Sequence, residues 1–310
     1  MDITVCVCTR DRPRYLCDCL GGLAHQSVDA ARFDILVVDS ASTAAAQAAI
    51  SGLVRGTANA RLVRVERPGV SLARNAGAEA ASSRYIAFID DDAIPDTDWI
   101  ARILAAIAEP GPAPALIGGR ILPLWEAPMP AWWPPRLRGT LSIIEFEGRG
   151  EYRSDALPPG LEPYGANMIV HLPALRAVGG FGNRSGRIGN VLLSDEDVQL
   201  AWRLQAAGFP VRYDSRIVVR HQIQATRLTP GWLLSRLYWQ GVSTVLTRRL
   251  LGDAAAVWRE LPRRLAVAGL LAPFALLPED SDVLLACRWR LAYAAGFVRA
   301  ALGLTPGSGE

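Results

Sequence analysis

The stretch RYIAFIDDDAIPDTDWIARI, residues 84–103, is the most informative part of the sequence. Its first part is an apolar, β-rich run that is typical of a buried strand, and this run ends in three consecutive aspartates, Asp90, Asp91 and Asp92. Adjacent carboxylates repel each other unless a positive charge lies among them, and a divalent cation with bound phosphates would supply that charge. The alternative is a solvated helix start near Thr97, which accounts for Asp96 or Asp98 better than for the first three aspartates.

Strands and helices alternate on the N-terminal side of this stretch. Buried strands are predicted at residues 3–8, 33–40 and 60–67, and helices are predicted after Pro13, after residue 40 and at residues 71–81. This alternation predicts βαβ units in an α/β fold with a mostly parallel sheet flanked by helices. Because ligands bind at the carboxyl ends of such strands, we expect Thr9, Asp11 and Asp39 to share a crevice with the aspartates.

Composition excludes several classes of protein. The chain has 310 residues, and its 33 basic and 30 acidic residues give a formal charge of only +3, which is no basis for a nucleic-acid partner. Five cysteines, an odd number, favour reduced thiols in the cytoplasm over a disulfide framework. Charged residues break the early apolar run, and no stretch reaches the ~20 apolar residues of a membrane span. We expect a cytoplasmic protein. The alternative is a cytoplasmic protein that associates peripherally with the membrane.

Five segments in a fixed order resemble the inverting glycosyltransferases of family 2, which have the GT-A fold. The segments are VCVCTRDRP, ILVVDSAS, GVSLARNAGAEAASSRYIAFIDDDAIP, GANMIVHLPALRAVGGF and SDEDVQLAWRLQAAGFPVRYDSRIVVRHQ. The resemblance implies one catalytic domain over residues 1–225, with a nucleotide-binding half at about 1–110 and an acceptor half at about 111–225. A helical region at 226–304 and a disordered tail at 305–310 would follow.

The resemblance also assigns a donor site. It implies that Thr9, Asp11 and Asp39 contact the base and ribose, and that Arg74 and Asn75 lie near the nucleotide, where the guanidinium of Arg74 would contact the diphosphate or clamp an aspartate. Asp90 would reach the ribose or a metal-bound water, Asp91 would hold the donor sugar, and Asp92 and His221 would bind Mn²⁺ or Mg²⁺. Structural alternatives stay open for four of these residues: a helix cap for Asp11, a turn for Asp39, a surface ion pair for Arg74 and a core position for His221.

The general base is expected in the acidic segment at residues 195–197. The resemblance favours Asp197, with Glu196 or Asp195 as alternatives, while stabilisation of a helix N-terminus is the structural explanation of the same carboxylates. The base would take the proton of an acceptor hydroxyl as that oxygen displaces the nucleoside diphosphate in line, which inverts the anomeric centre. The expected donor is a nucleoside diphosphate sugar, with UDP as the nucleotide. The acceptor would be a saccharide, a lipid or a natural product.

The residues that would bind the acceptor are harder to identify from the sequence. Trp125, Trp132 and Trp133 lie in a proline-rich segment and would either stack on the acceptor or pin a long loop to the core. Asn167 is expected to line the cleft. The glycine-rich segment at 179–190 resembles a mobile lid, with an ordinary surface loop as the alternative.

The C-terminal residues form three amphipathic stretches in which arginines alternate with aromatic and aliphatic residues. We expect helices that pack on the catalytic domain; contact with a membrane surface or a second copy of the chain is the alternative. The Gln-x-x-Arg-Trp motif of processive relatives is missing, which favours transfer of a single sugar. The second functional hypothesis is a GT-A-fold protein that has lost catalysis and acts as an assembly partner. A dinucleotide-dependent oxidoreductase is excluded, because no Gly-x-Gly-x-x-Gly follows the first strand.

Overall fold

A computed structural model describes residues 1–182, 192–277 and 282–304. The elements that build the sheet are β1 (Ile3–Thr9), β2 (Phe33–Ser40), β3 (Ala60–Val65), β4 (Tyr85–Asp90), β5 (Ala93–Pro95), β6 (Leu116–Trp125), β7 (Arg149–Glu151), β8 (Met168–His171) and β9 (Val211–Ile223). The helices are α1 (Pro13–Ala24), α2 (Ala44–Arg55), α3 (Val70–Ala80), α4 (Trp99–Ile107), α5 (Leu172–Ala177), α6 (Glu196–Ala206), α7 (Pro230–Leu250), α8 (Ala254–Leu271) and α9 (Asp282–Ala301).

The N-terminal half of the sheet is parallel, as the alternation of strands and helices predicted. Strands β1 to β4 pair in the order β3-β2-β1-β4, and β1 and β2 are in register from Ile3 opposite Phe33 to Thr9 opposite Asp39. Both strands are buried on both faces, which explains why their sequences are continuous apolar runs. The register places the C-terminal residues of β1, β2 and β4 at one edge of the sheet.

The remaining strands extend the sheet in the antiparallel sense. Strand β8 pairs with β4, β6 follows β8, and β9 lies between β6 and the short strand β5. In the pairing of β5 with β9, Ala93 is opposite His221. Since Ala93 follows Asp92 directly, this register brings a residue from late in the chain beside the aspartate cluster.

Contacts within the chain divide it into two compact units. The first contains Met1–Leu124, the segment that begins at Ser142, and Glu196–Gln222, and it includes the large core on both faces of the sheet. The second contains Trp125–Leu141 and the residues after Gln222. The sequence analysis assigned Trp125–Leu141 to the acceptor half of the catalytic domain, whereas in the structure this segment groups with the C-terminal helices.

The second unit is built on three long helices, as the three amphipathic stretches predicted. Its small core contains Val242 and Val245 of α7, Val257 and Leu261 of α8, and Phe297 of α9. Helices α7 and α9 approach closely at Gly241 and Gly296, where an added Cβ would lie 2.2 Å from the carbonyl oxygen of Tyr293 and 1.9 Å from that of Tyr238. A side chain at either position would push the two helices apart.

No helix in the described part of the chain combines the length and the apolar character needed to cross a membrane. Two predictions from the sequence concern residues that the structure does not describe. Most of the glycine-rich segment expected to form a lid, residues 183–190, and the tail at 305–310 lie outside the described residues.

Candidate active site

Three aspartates at the end of β4 form the centre of the site. Asp91 and Asp92 are almost completely buried, while the side chain of Asp90 is 38% exposed. The hydroxyl of Thr9, the last residue of β1, donates a hydrogen bond of 2.7 Å to Oδ2 of Asp91. Burial raises the pKa of Asp91 to about 7, Arg12 opposes this shift, and Asp92 adds to it. Asp91 and Asp92 are therefore buried at the apolar ends of the strands, where each carboxylate needs a hydrogen-bond donor or a cation.

Arg12 supplies that positive charge and was missed by the sequence analysis. From the N-terminus of α1, its Nη1 lies 2.7 Å from Oδ1 of Asp91 and its Nη2 lies 2.5 Å from Oδ2 of Asp92. The guanidinium thus spans two neighbouring carboxylates, a geometry that suits the fork of its N–H donors. An arginine beside a proline at a predicted helix start was a usable signal, because that helix follows the strand adjacent to the aspartates.

His221 completes this side of the cluster. Its Nε2 lies 3.3 Å from Oδ1 of Asp92, and both side chains are 2% exposed. The backbone also joins the two segments, since the N–H of Gln222 donates to the carbonyl oxygen of Asp92 at 2.7 Å. The antiparallel register of β5 with β9 therefore determines which residue lies beside Oδ1 of Asp92.

The Asp92–His221 pair fits a divalent cation that takes its other ligands from a phosphate. One carboxylate oxygen and one imidazole nitrogen are close together, and such ligands suit Mn²⁺ and Mg²⁺. In the described residues, no group of three or more histidine, cysteine, aspartate or glutamate side chains is arranged to hold a metal by itself. The protein alone therefore offers only part of a coordination shell, and Arg12 shares Asp92.

Asp11 and Asp39 make intramolecular contacts on the neighbouring strands. Oδ1 of Asp11 accepts hydrogen bonds from the backbone N–H and the hydroxyl of Thr43 at the start of α2, and the backbone hydrogen bond lowers the Asp11 pKa. The residue that precedes α1 is Arg12, so Asp11 supports α2 instead of capping α1. Asp39 is fully buried; Arg64 donates to its Oδ2 at 2.7 Å and the N–H of Ser42 donates to its Oδ1 at 3.1 Å.

The side chain of Asn75, the residue after Arg74, makes two hydrogen bonds with the backbone of Phe181. Its Nδ2 donates to the carbonyl oxygen of Phe181 at 2.9 Å, and its Oδ1 accepts from the N–H of Phe181 at 2.8 Å. The side chain thus clamps the backbone of the segment that follows α5. The expected position of Asn75 near the nucleotide stays a prediction.

Arg74 joins the end of β4 to the start of α6. The side chain is buried in α3, its Nη1 donates to Oε1 of Glu196 at 3.0 Å, and its Nη2 lies 3.4 Å from Oδ1 of Asp90. The surface ion pair that was its structural alternative is therefore wrong. Gly165 makes room for the guanidinium, because a Cβ at that position would lie 1.8 Å from Nη2.

Glu196 and Asp197 form the first turn of α6 and are both buried. Oδ2 of Asp197 accepts a hydrogen bond of 2.8 Å from the N–H of Gly165, and Oδ1 accepts one of 2.9 Å from the N–H of Val198. Burial raises the pKa of Asp197 to about 7; Glu196 adds to the shift, whereas Arg74 and the two N–H donors oppose it. A carboxyl group in this state exchanges its proton near neutral pH.

The third acidic candidate, Asp195, has different contacts. Nε2 of Gln240 donates to Oδ1 of Asp195 at 3.0 Å, and the hydroxyl of Ser194 donates to the same oxygen at 3.0 Å. Asp195 is thus held by neighbours in the second unit, which leaves Glu196 and Asp197 as the buried pair beside Arg74.

Asn167 does not line a cleft. Its side chain has no exposed surface: Oδ1 accepts from the indole N–H of Trp99 at 3.0 Å, and Nδ2 donates to the carbonyl oxygens of Arg120 and Ile217, both at 2.9 Å. These three bonds tie α4, β6 and β9 together. The prediction that Asn167 lines the cleft is therefore wrong, because both polar atoms of its amide already make hydrogen bonds in the core.

The tryptophans expected on the acceptor side lie in the second unit. Trp133 is 2% exposed, and its ring centroid lies 5.3 Å from that of Trp132 and 6.3 Å from that of Trp232. Trp133 therefore pins the segment and cannot stack on an acceptor, which corrects its assignment. Trp125 and Trp132 are half-buried.

Comparison with known proteins finds a family model and several relatives that resemble this chain. Residues 4–128 match the model of the family described as Glycosyl transferase family 2. A glucosyl-dolichyl phosphate glucuronosyltransferase of Haloferax volcanii is 29% identical over 179 residues, which cover 57% of this chain and 55% of that protein. A pre-mycofactocin glycosyltransferase of Mycobacterium tuberculosis is 30% identical over 183 residues, 58% of this chain and 35% of the relative. The chain thus matches about half of the first relative and a third of the second.

Solved structures share the fold. The mannosyltransferase PcManGT from Pyrobaculum calidifontis, in complex with GDP-Man and Mn²⁺, superposes with a TM-score of 0.61 at 17% identity, over 96% of this chain and 86% of the other. S. aureus TarS 1-349 in complex with UDP-GlcNAc gives a TM-score of 0.55 at 16% identity, over 98% and 91% of the two chains. At such identities the likeness establishes the fold alone, and that fold is GT-A with C-terminal helices.

Proposed function

We propose that this chain, of which residues 4–128 match the model of glycosyl transferase family 2, transfers one sugar from a nucleoside diphosphate sugar to an acceptor hydroxyl with inversion of the anomeric centre. UDP is the nucleotide that we expect. The acceptor belongs to one of three chemical classes, a saccharide, a lipid or a natural product, and each offers a hydroxyl that a buried carboxylate can deprotonate.

The bridge made by Arg74 is the observation that carries this proposal. One guanidinium contacts Asp90 at the end of β4 and Glu196 at the start of α6. One buried guanidinium of the first unit therefore joins Asp90 of the proposed donor site to Glu196, the residue before the candidate base Asp197. A sugar-transfer reaction needs this arrangement, because the departing diphosphate and the attacking hydroxyl lie on opposite sides of the same carbon atom.

Asp197 is the residue that we propose as general base. Its carboxylate takes the proton of the acceptor hydroxyl while that oxygen forms a bond to the anomeric carbon and the bond from this carbon to the diphosphate breaks. A pKa of about 7 supports the role, because a base is most effective when its pKa is close to the working pH. The N–H groups of Gly165 and Val198 orient the carboxylate.

Asp92 and His221 are the residues that would hold Mn²⁺ or Mg²⁺, with the diphosphate supplying the other ligands. When bound, such an ion supplies a Lewis acid that offsets the negative charge of the leaving group. Thr9 and Arg12 hold Asp91 in place beside this pair. Asp11 and Asp39 remain the proposed contacts to the base and ribose at the ends of the first two strands, where their carboxylates are already oriented by N–H donors.

Calorimetric titration with UDP, GDP and dTDP, with and without MnCl₂, tests the donor site. We expect one nucleotide to bind in a metal-dependent manner, and binding to disappear in Asp92→Ala. A matched control is Asp98→Ala, which removes an exposed carboxylate that pairs with Arg102 on the next helical turn.

Measurement of turnover distinguishes a glycosyltransferase from a GT-A-fold protein that has lost catalysis. Release of the nucleotide from the matching sugar donor, measured in the presence of candidate acceptors, supports transfer. Metal-dependent binding of the nucleotide without turnover on any acceptor class would favour an assembly partner that has kept its donor site. No binding of any of the three nucleotides would contradict the proposed donor site itself.

A further inference from the structure

Asp39 is completely enclosed at the end of β2. Its Oδ2 accepts a hydrogen bond of 2.7 Å from Nη1 of Arg64, and its Oδ1 accepts one of 3.1 Å from the N–H of Ser42. Both carboxylate oxygens therefore have donors inside the protein, and the residue has no exposed surface. A ligand at this edge of the sheet meets the groups that cover Asp39 before it meets the carboxylate.

Arg64 is the group that extends from this buried carboxylate to the surface. Its side chain is 28% exposed, whereas that of Asp39 is 0% exposed. Nη2 lies 3.4 Å from the carbonyl oxygen of Ser42, and Nε lies 3.2 Å from Oε1 of Glu66. Since a guanidinium has five N–H donors, one N–H on each Nη atom has no partner in the part of the chain that the structure describes. Asp39 thus holds a guanidinium that keeps donors for a ligand.

The register of the sheet places Arg64 at the same edge as the proposed donor site. Thr9 is opposite Asp39 in the pairing of β1 with β2, and Asp39 is opposite Arg64 in the pairing of β2 with β3. Because neighbouring strands are roughly 5 Å apart, the backbone of Arg64 lies about 10 Å from that of Thr9. The hydroxyl of Thr9 contacts Asp91. A nucleotide with its diphosphate near the aspartates could therefore extend its base along this edge toward Arg64.

We infer that Arg64 contacts the nucleobase of the sugar donor, and that Asp39 is a positioning residue that holds the guanidinium of Arg64. The inference rests on the proposed function, and it specifies how the contact proposed for Asp39 is made. A guanidinium donates hydrogen bonds and accepts none, so its partner on the base is a carbonyl oxygen. Uracil, thymine and guanine carry such an oxygen, whereas adenine does not. The donor is therefore expected to contain one of these three bases.

A second arginine of β3 makes the same kind of ion pair at the opposite edge of the sheet. Arg61 lies near the start of the strand, and its Nη2 is 3.3 Å from Oδ2 of the buried Asp34 near the start of β2. Arg61→Gln and Arg64→Gln therefore remove comparable ion pairs, but only Arg64 lies at the carboxyl ends of the strands. Comparison of the two variants separates nucleotide binding from stabilisation of the sheet.

Calorimetric titration in MnCl₂ tests the contact between Arg64 and the base. Of UDP, GDP and dTDP, the nucleotide that the unmodified chain binds most tightly should bind Arg64→Gln roughly tenfold or more weakly, because a charged donor to the base is lost. Arg61→Gln should bind that nucleotide as the unmodified chain does. Pyrophosphate lacks the base and the ribose, so its affinity should be the same in all three proteins. Arg64→Gln should also reduce the preference for that nucleotide over ADP.

A double-mutant cycle tests the role of Asp39. Asp39→Asn should weaken nucleotide binding by a factor similar to that of Arg64→Gln, and the two substitutions together should cause little further loss, since Asp39 acts through Arg64. Losses that multiply would show that Asp39 touches the nucleotide itself and would overturn its positioning role. Thermal unfolding reports whether Asp39→Asn folds; if it does not, the comparison of Arg64→Gln with Arg61→Gln decides.

Three results would overturn the inference while leaving the proposed function in place. Arg64→Gln could bind the nucleotide as tightly as the unmodified chain does, or pyrophosphate could lose as much affinity as the nucleotide, which would place Arg64 at the diphosphate. Equal losses in Arg61→Gln and Arg64→Gln would show that both ion pairs only stabilise the sheet. If none of the three nucleotides binds the unmodified chain, the proposed donor site and this inference fail together.

Discussion

Nη2 of Arg12 lies 2.5 Å from Oδ2 of Asp92, at the position where a cation is needed between Asp92 and Asp91. The other oxygen of Asp92 is 3.3 Å from Nε2 of His221, so the carboxylate is shared between a permanent cation and an imidazole. A divalent ion that binds Asp92 must accommodate this arginine or displace it. Arg12 is therefore expected to influence metal affinity without being a metal ligand.

Replacing Arg12 by glutamine should lower stability and increase the response to metal. Two buried carboxylates would lose their cation, at a cost of roughly 1–3 kcal/mol in the free energy of unfolding, less than for a fully buried pair because the Arg12 side chain is 30% exposed. Added MnCl₂ should raise the melting temperature of Arg12→Gln more than that of the unmodified protein. Thermal unfolding with and without MnCl₂ measures both effects.

Arg14→Gln is the control for this comparison, because Arg14 is exposed on the same helix and its guanidinium lies over the Tyr15 ring. It should leave stability and metal response unchanged. Equal MnCl₂-induced shifts in Arg12→Gln and the unmodified protein would show that Arg12 and the ion do not share Asp92.

Replacing Asp197 by asparagine should abolish most of the turnover while nucleotide binding is retained. Loss of a general base lowers kcat by ~10²–10⁴. Glu196→Gln should reduce kcat less and should also weaken donor binding, because Glu196 contacts Arg74 and Arg74 contacts Asp90. Steady-state kinetics combined with nucleotide titration separate the two roles, with the exposed Asp18→Asn as a neutral control. A larger loss of kcat in Glu196→Gln would reassign the base to Glu196.

The rate should depend on pH through Asp197. Because burial raises its pKa to about 7, the carboxyl is protonated below that pH and kcat/KM should fall about tenfold per unit toward acid. Glu196→Gln should move the midpoint to lower pH, since the negative charge of Glu196 contributes to the rise. Initial rates from pH 5.5 to 8.5 measure the midpoint, and a midpoint that stays in place or rises in Glu196→Gln contradicts this assignment.

The same carboxyl should affect stability in a defined direction. In the unfolded chain it loses its proton near 3.8, whereas in the folded protein it keeps the proton up to about 7. The folded state binds more protons over this interval, so the free energy of unfolding should decrease as pH rises through it. Urea unfolding at pH 5 and pH 8 should therefore show that Asp197→Asn gains stability, relative to the unmodified protein, at the higher pH. No change in that difference between the two pH values would indicate an ordinary pKa.

Gly165→Ala should disturb both stability and activity. The new methyl group would overlap the guanidinium of Arg74 at 1.8 Å, in a buried site where overpacking costs about 1–3 kcal/mol. Displaced Arg74 would release Glu196, and a shifted Gly165 N–H would release Asp197. Gly52→Ala on the exposed face of α2 is the control and should stabilise by ~0.5–1 kcal/mol, because glycine is unfavourable within a helix. Similar unfolding curves for the two variants would show that Arg74 can move at no cost.

Much of the secondary structure of the first unit could be predicted, because the patterns that indicate its strands and helices involve residues close together in the sequence. Three buried apolar runs form strands that end at Thr9, Ser40 and Asp90, where the apolar pattern also ends. Helix α1 begins at Pro13. Their order predicted the parallel sheet and the edge at which the aspartates lie. The family resemblance added His221 and the acidic pair, which nothing in their local patterns would have singled out.

The roles of several side chains could not be predicted in the same way. Asn167, Asn75 and Trp133 carry the residue types of a binding site, yet in the structure their contacts hold α4, the segment after α5 and the tryptophan cluster in place. A polar or aromatic side chain shows its chemistry in the sequence but not its partner. Whether an amide faces a cleft or the core depends on which elements pack around it.

The strands, the helices and the crowding of carboxylates after β4 can be read from the sequence, because hydrophobic periodicity and strand ends are properties of neighbouring residues. The partners of the buried carboxylates depend on the packing of distant elements: Arg12 is 80 positions from Asp92, and Arg74 is 122 positions from Glu196. The antiparallel register of β5 and β9 decided that His221 is the residue beside Asp92. Such pairings depend on how distant elements pack, and the energy of a buried charge depends on the partner that this packing supplies.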